Sequence, residues 1–67
     1  MSPENHILRD LAAGRSTAAA TAAAIADRLG LEKDEVRAHL SRLITEGKAT
    51  ISGHLAGTIP IYELPKP

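Results

Sequence analysis

The sequence contains no cysteine, no tryptophan and no phenylalanine, and Tyr62 is its single aromatic residue. Without cysteine there is no disulfide and no thiolate metal ligand, which is compatible with a reducing, cytoplasmic setting. With one aromatic residue, the usual stacking surface for single-stranded nucleic acid cannot be built. No apolar run approaches the roughly 20 residues of a membrane-spanning helix. The N-terminus lacks the basic-then-apolar pattern of a signal peptide. An excess of either charge is also missing, because eight Lys and Arg balance eight Asp and Glu. A nucleic-acid-binding domain is usually basic, although a local basic patch can act within a neutral total.

Enzyme chemistry finds no foothold. No glycine-rich phosphate loop follows a strand, and His39 and Ser41 lie two apart on a helix, so they point apart and form no nucleophile–base pair. His6, His39 and His54 are far apart in sequence and lack a metal-binding spacing, so neither a metal nor a cofactor is expected. The 67 residues suffice for one small domain and leave little room for a substrate pocket.

Alanine and aliphatic residues at helical spacing are abundant. Ser2-Pro3-Glu4 suits a helix start, with serine as cap, proline in the first turn and glutamate on the helix dipole. Ile7, Leu8, Leu11 and Ala12 form one stripe, and Gly14 follows as a stop, giving a helix over about 3–13. The stretch 15–20 is ambiguous. Thr17 can cap an alanine-rich helix running to Leu29, or Thr21 can cap a shorter helix over 21–29 with Ser16–Ala20 as a short extended segment. The second reading is preferred. Ile25 and Leu29, four apart, face inward on that helix.

A third helix is expected over about 33–46, with Gly47 left-handed beyond it. Val36, Leu40 and Leu43 turn inward and Ile44 lies on the flank. The opposite face carries Asp34, Ala38, Ser41 and Thr45, between Arg37 and Arg42. Leu29-Gly30-Leu31 joins the two helices, and two short helices joined this way form a helix-turn-helix. Ala49–Ser52 reads as a strand, Gly53–Gly57 as a glycine-bounded turn, and Thr58–Leu64 as a return strand. Pro60 cannot donate to a ladder and belongs on an edge or near the tip.

Ala24-Ile25-Ala26, Leu29-Gly30-Leu31, Val36, Leu40, Leu43 and Gly47 together resemble the helix-turn-helix of bacterial winged-helix regulators. The resemblance covers almost the whole chain. It implies an α+β, mainly α fold over 1–67: a three-helix winged helix-turn-helix with a C-terminal β-hairpin wing over about 49–64. The stretch from Gly57 to Leu64 is also similar to the wing of Z-DNA-binding domains, in which a threonine, prolines and a tryptophan face the nucleic acid. Thr58, Pro60 and Tyr62 match that pattern, and Lys33 matches its helix lysine. Arg37 stands where that family has asparagine and Ser41 where it has tyrosine, so the side chains that make its recognition distinctive are absent. Small bacterial regulators with a similar wing are the closer match.

The expected function is therefore binding of double-stranded DNA as a small transcriptional regulator, with helix 33–46 in the major groove and the wing on backbone or minor groove. The candidate contacts are Thr21, Lys33, Arg37, Ser41, Arg42, Lys48, His54 and Thr58. Arginine offers bidentate bonds to guanine or phosphate, and serine reaches base edges or phosphate. Thr21, with Ser16 or Thr17, would meet phosphate at a helix start. The competing reading of the same helix is a solvated face laced with Arg42–Glu46 and Asp34–Arg37 pairs. Asp34 and Glu35 favour the helix dipole yet oppose phosphate. Tyr62 reads as a core-edge residue and His39 as flanking the core.

The alternative function is a winged-helix protein-interaction module using exposed Leu55 and Ile59. A continuous positive face across Arg15, Lys33, Arg37, Arg42 and Lys48 would favour DNA, and a mixed face would favour protein. A homodimer is compatible with either, because one module of this size offers limited contact area.

Overall fold

A computed structural model describes residues 3–13 and 17–65. The Ser2 cap, the Gly14 stop, Arg15 and Ser16 fall outside the described residues, as does the side chain of Thr17. Three helices, α1 (Pro3–Ala12), α2 (Ala22–Leu29) and α3 (Lys33–Thr45), precede an antiparallel hairpin of β1 (Thr50–Leu55) and β2 (Ile59–Glu63). The fold is α+β and mainly helical, with the layout of a winged helix-turn-helix.

Aliphatic side chains close the core. Ile7 on α1, Ile25 on α2, and Val36, Leu40 and Leu43 on α3 are fully buried. Each contributes about 1.5–3 kcal/mol by leaving water. Leu11, Ala22, Ala26, Ala49 and Tyr62 complete the cluster, with Leu8, Leu29, Leu31, Ile44 and Leu64 packed against it. Ala12, expected on the α1 stripe, is exposed, because the helix ends there and a turn at Ala13 follows.

Both helices of the helix-turn-helix stop in the same way. Gly30 is left-handed at φ 69°, and the Leu31 N–H donates back to the Ala26 carbonyl at 2.9 Å. Gly47 is left-handed at φ 75°, and the Lys48 N–H donates to the Leu43 carbonyl at 2.8 Å. These six-to-one closures satisfy carbonyls that the helix ends would leave open. A side chain at either glycine would carry a conformational cost.

Two expected elements differ. Thr17–Ala20 is a 3-10 helix rather than an extended segment. Three alanines give a strand little to bury. Their carbonyls are also engaged from the helical side: the Thr21 hydroxyl donates to Ala18 at 3.2 Å, and the Arg28 guanidinium donates to Ala19. The hairpin turn also lies later than expected. Gly53 is in β1 opposite Ile61, and the turn is Ala56–Thr58, with Ala56 and Gly57 left-handed at φ 50° and 75°. Ser52 is absorbed in a register shift between Ile51 and Gly53, with its hydroxyl donating to the Ile61 carbonyl at 3.3 Å. Gly53 is thus a strand glycine beside a bulge. The remaining boundaries differ by a residue or so from the expected ones.

No helix among the described residues is long and apolar enough to cross a membrane.

Candidate nucleic-acid interface

Thr21 caps α2. Its hydroxyl accepts from the Ala24 N–H at 3.4 Å and donates to the Ala18 carbonyl at 3.2 Å. Its side chain is buried, and its one proton is committed, which leaves none to donate to a phosphate. The cap starts α2 so that Ala22 and Ala23 open onto a cleft. Gly30 then reverses the chain and sets Lys33 at the start of α3.

On α3, Lys33 and Arg37 lie one turn apart and both are exposed. Neither pairs with an acid among the described residues. The Asp34–Arg37 and Arg42–Glu46 pairs of the competing reading are not formed. Two like charges at this spacing repel by a few tenths of a kcal/mol (about 0.2–0.5). They face the wing across a cleft of about 210 Å³, lined also by Ala22, Ala23, Thr58, Ile59, Pro60 and Tyr62. The acids at the start of α3, Glu32, Asp34 and Glu35, are exposed but do not line it. The volume is below the roughly 300–1,000 Å³ of small-molecule sites, and a protruding group of a larger partner suits it better.

The hairpin register explains part of the opposite wall, which Ile59 also lines from the other side of the ribbon. His54 faces Pro60 and Ile51 faces Tyr62, so these four share one side of the ribbon; Leu55 with Ile59 and Gly53 with Ile61 share the other. Pro60 and Tyr62 thereby meet the cleft together. The Tyr62 ring is packed in the core and the residue is only 8% exposed.

The structure divides the other candidates. Arg42 lies 3.7 Å from the Glu4 carboxylate of α1, beside His39, whose Nδ1 is 3.1 Å from the same oxygen. Lys48 lies 3.5 Å from Glu46. Ser41 is exposed on α3, where its carbonyl accepts from the Thr45 hydroxyl at 3.0 Å, and it does not line the cleft. His54 is exposed on β1 opposite Pro60. Leu55 is half-buried, and the exposed large apolar residues among the described ones are Ile51 and Ile59, on opposite sides of the ribbon. The positive face is therefore concentrated at Lys33 and Arg37 and does not run on through Arg42 and Lys48, where each cation has an acid beside it. Arg15 lies outside the described residues.

Two features escaped the sequence reading. Ala22 and Ala23 line the cleft, and only their place just after a threonine cap signals it. Asp10 and Arg28, 18 residues apart, form a pair at 2.9 Å with Asp10 buried; nothing in local spacing marks such a contact. They border a shallower hollow of about 450 Å³ with His6, Arg9 and Leu29. Because Asp10 and Arg28 already satisfy one another, that hollow is less suited to a ligand than the smaller cleft. No group of three His, Asp or Glu side chains among the described residues is placed to hold a metal ion.

The chain matches no protein-family model, and no curated protein or solved structure is significantly similar to it.

Proposed function

We propose that this protein binds double-stranded DNA as a small cytoplasmic transcriptional regulator. In this reading α3 approaches the major groove and the wing lies on the backbone. The observation that supports it is the Lys33–Arg37 pair: two exposed cations that form no ion pair among the described residues and face Thr58 and Pro60 of the wing across one cleft. A phosphodiester offset by these cations relieves their mutual repulsion. A homodimer would place two such surfaces on neighbouring half-sites.

A second reading is a protein-interaction module, favoured by the exposure of Ile51 and Ile59, at 42% and 46%. Their positions on opposite sides of the hairpin weaken it, because they do not form one contiguous patch.

The test is an NMR titration of the labelled protein with mixed-sequence duplex DNA, at low and then physiological salt. Shifts at Lys33, Arg37 and Thr58 that fade with salt are expected. No shifts at low salt would overturn duplex binding, since the sequence-independent phosphate attraction is strongest there.

A further inference from the structure

The two strands of the hairpin guard their outer edges differently. β2 carries Pro60, which has no N–H to offer, and it packs against α1, α2 and the 3-10 helix Thr17–Ala20. β1 has β2 as its one strand neighbour among the described residues. Outside that ladder, its backbone is engaged once among the described residues, where the Leu55 carbonyl accepts from the Thr58 N–H at 3.1 Å in the turn. The outer edge of such a strand presents N–H and C=O groups to any strand that comes alongside. Natural edges are commonly blunted by lysine, another charge or proline. Thr50-Ile51-Ser52-Gly53-His54-Leu55 carries neither Lys, Arg, Asp, Glu nor Pro. Ile51 and His54 are exposed on one side of the ribbon.

From this bare edge we infer that β1 is a self-pairing surface. A second copy of the chain lays its own β1 antiparallel alongside, giving a four-stranded sheet in the order β2, β1, β1, β2. The occupant is a second copy because the strand suits itself. Pairing about a two-fold axis makes each contact twice, and a strand without Lys, Arg, Asp or Glu sets no such like charges opposite one another. An axis through the middle of Thr50–Leu55 places His54, its one titratable side chain, across from Ile51 of the second copy and away from its own counterpart. An acidic or basic peptide, by contrast, finds no opposite charge on β1 to select it. A two-stranded ribbon is marginally stable by itself, and added strands stabilise it. Two features keep the dimer weak. The bulge at Ser52 turns part of the edge aside. Six residues a side also fall short of the about 20–30 of a standard interface. The pairing uses neither Lys33 nor Arg37, so it goes beyond the DNA reading and stands or falls without it.

The test is a concentration series of the labelled protein without nucleic acid, read by sedimentation equilibrium and by amide shifts. The weight-average mass is expected to rise from one chain toward two between about 10 μM and 1 mM, the range of a small, transient interface. The amide shifts that change with concentration should fall on Thr50–Leu55. Ile51→Lys puts a charge on the edge and should weaken the association about tenfold or more, while the urea midpoint stays close to that of the wild type. A single-chain mass at every concentration up to about 1 mM would overturn the inference. So would a dimer whose shifts fall on α1 or on the cleft, or a folded variant that associates as tightly as the wild type. Should the variant fold poorly, the wild-type series decides: shifts on β1 that track the mass support self-pairing, and their absence overturns it.

Discussion

The two sides of α3 use their charges in opposite ways. Toward α1, Glu4 lies beside His39 and Arg42, and deeper in the fold Asp10 is held by Arg28. Toward the wing, Lys33 and Arg37 form no ion pair among the described residues and border an open cleft. The neutral total thus conceals an uneven distribution. Glu4 and Asp10 are paired on the side that joins helices, while Lys33 and Arg37 border the cleft toward the hairpin and the acids Glu32, Asp34 and Glu35 stay exposed outside it. Net charge alone is a poor guide to partners in so small a protein, because pairing decides which charges remain available.

The comparison implies that variants on the first side change stability and variants on the second change binding. The largest effect is expected at Arg28. Replacing it with Met removes the guanidinium that ties Asp10 of α1 to α2; with the Arg28 side chain 27% exposed, the loss of these charge-assisted bonds costs about 1.5–3 kcal/mol. A chain of this size is stable by only about 3–10 kcal/mol, so the urea midpoint should fall steeply or the protein should fail to fold. An unchanged midpoint would show that the pair is dispensable. Arg37→Ala should do the reverse: duplex affinity should fall by about 1–3 kcal/mol if the guanidinium reads a base, while the urea midpoint stays within error. Loss of stability without loss of affinity would place Arg37 with the structural charges.

Much of the fold was legible because it is periodic. Val36, Leu40 and Leu43 repeat at helical spacing, and all three are fully buried. Gly30 and Gly47 stand where left-handed closure is needed, and Thr21 where a cap is needed. The hairpin was legible in kind but not in register. Gly53 was read as a turn residue, and only pairing with β2 puts it opposite Ile61. Such pairing is a property of two strands and leaves no mark on one. The same reason hid the Asp10–Arg28 pair and the approach of Glu4 to Arg42, which join distant stretches. Half of the cleft was readable, since Lys33 and Arg37 share a helix stripe. Its other half depends on which side of the wing carries Pro60 and Tyr62.

Thr21 sits where the two sides meet and sharpens their boundary. Its side chain is buried and its hydroxyl is engaged in capping. Thr21→Ala should cost about 1 kcal/mol of stability, as for loss of a cap, with duplex affinity unchanged. A drop in affinity with stability intact would move Thr21 from the scaffold to the interface.

The smallest effect, and the finest test of the boundary, is at Arg42. From the sequence, Arg42 and Arg37 flank one helix face symmetrically. In the fold, Arg42 lies 3.7 Å from Glu4, and its side chain remains 68% exposed. An ion pair this open contributes less than about 1 kcal/mol, so Arg42→Ala should hardly move the urea midpoint. Its effect on binding is more telling. Each phosphate neutralised adds about 0.9 to the logarithmic salt slope, so Lys33→Gln should lower that slope by about one. Arg42→Ala should lower it by clearly less, because Glu4 already offsets the charge on that side. Equal losses from the two variants would mean that duplex DNA draws Arg42 away from Glu4. The basic surface would then continue around α3, and the division between its two sides would not survive binding.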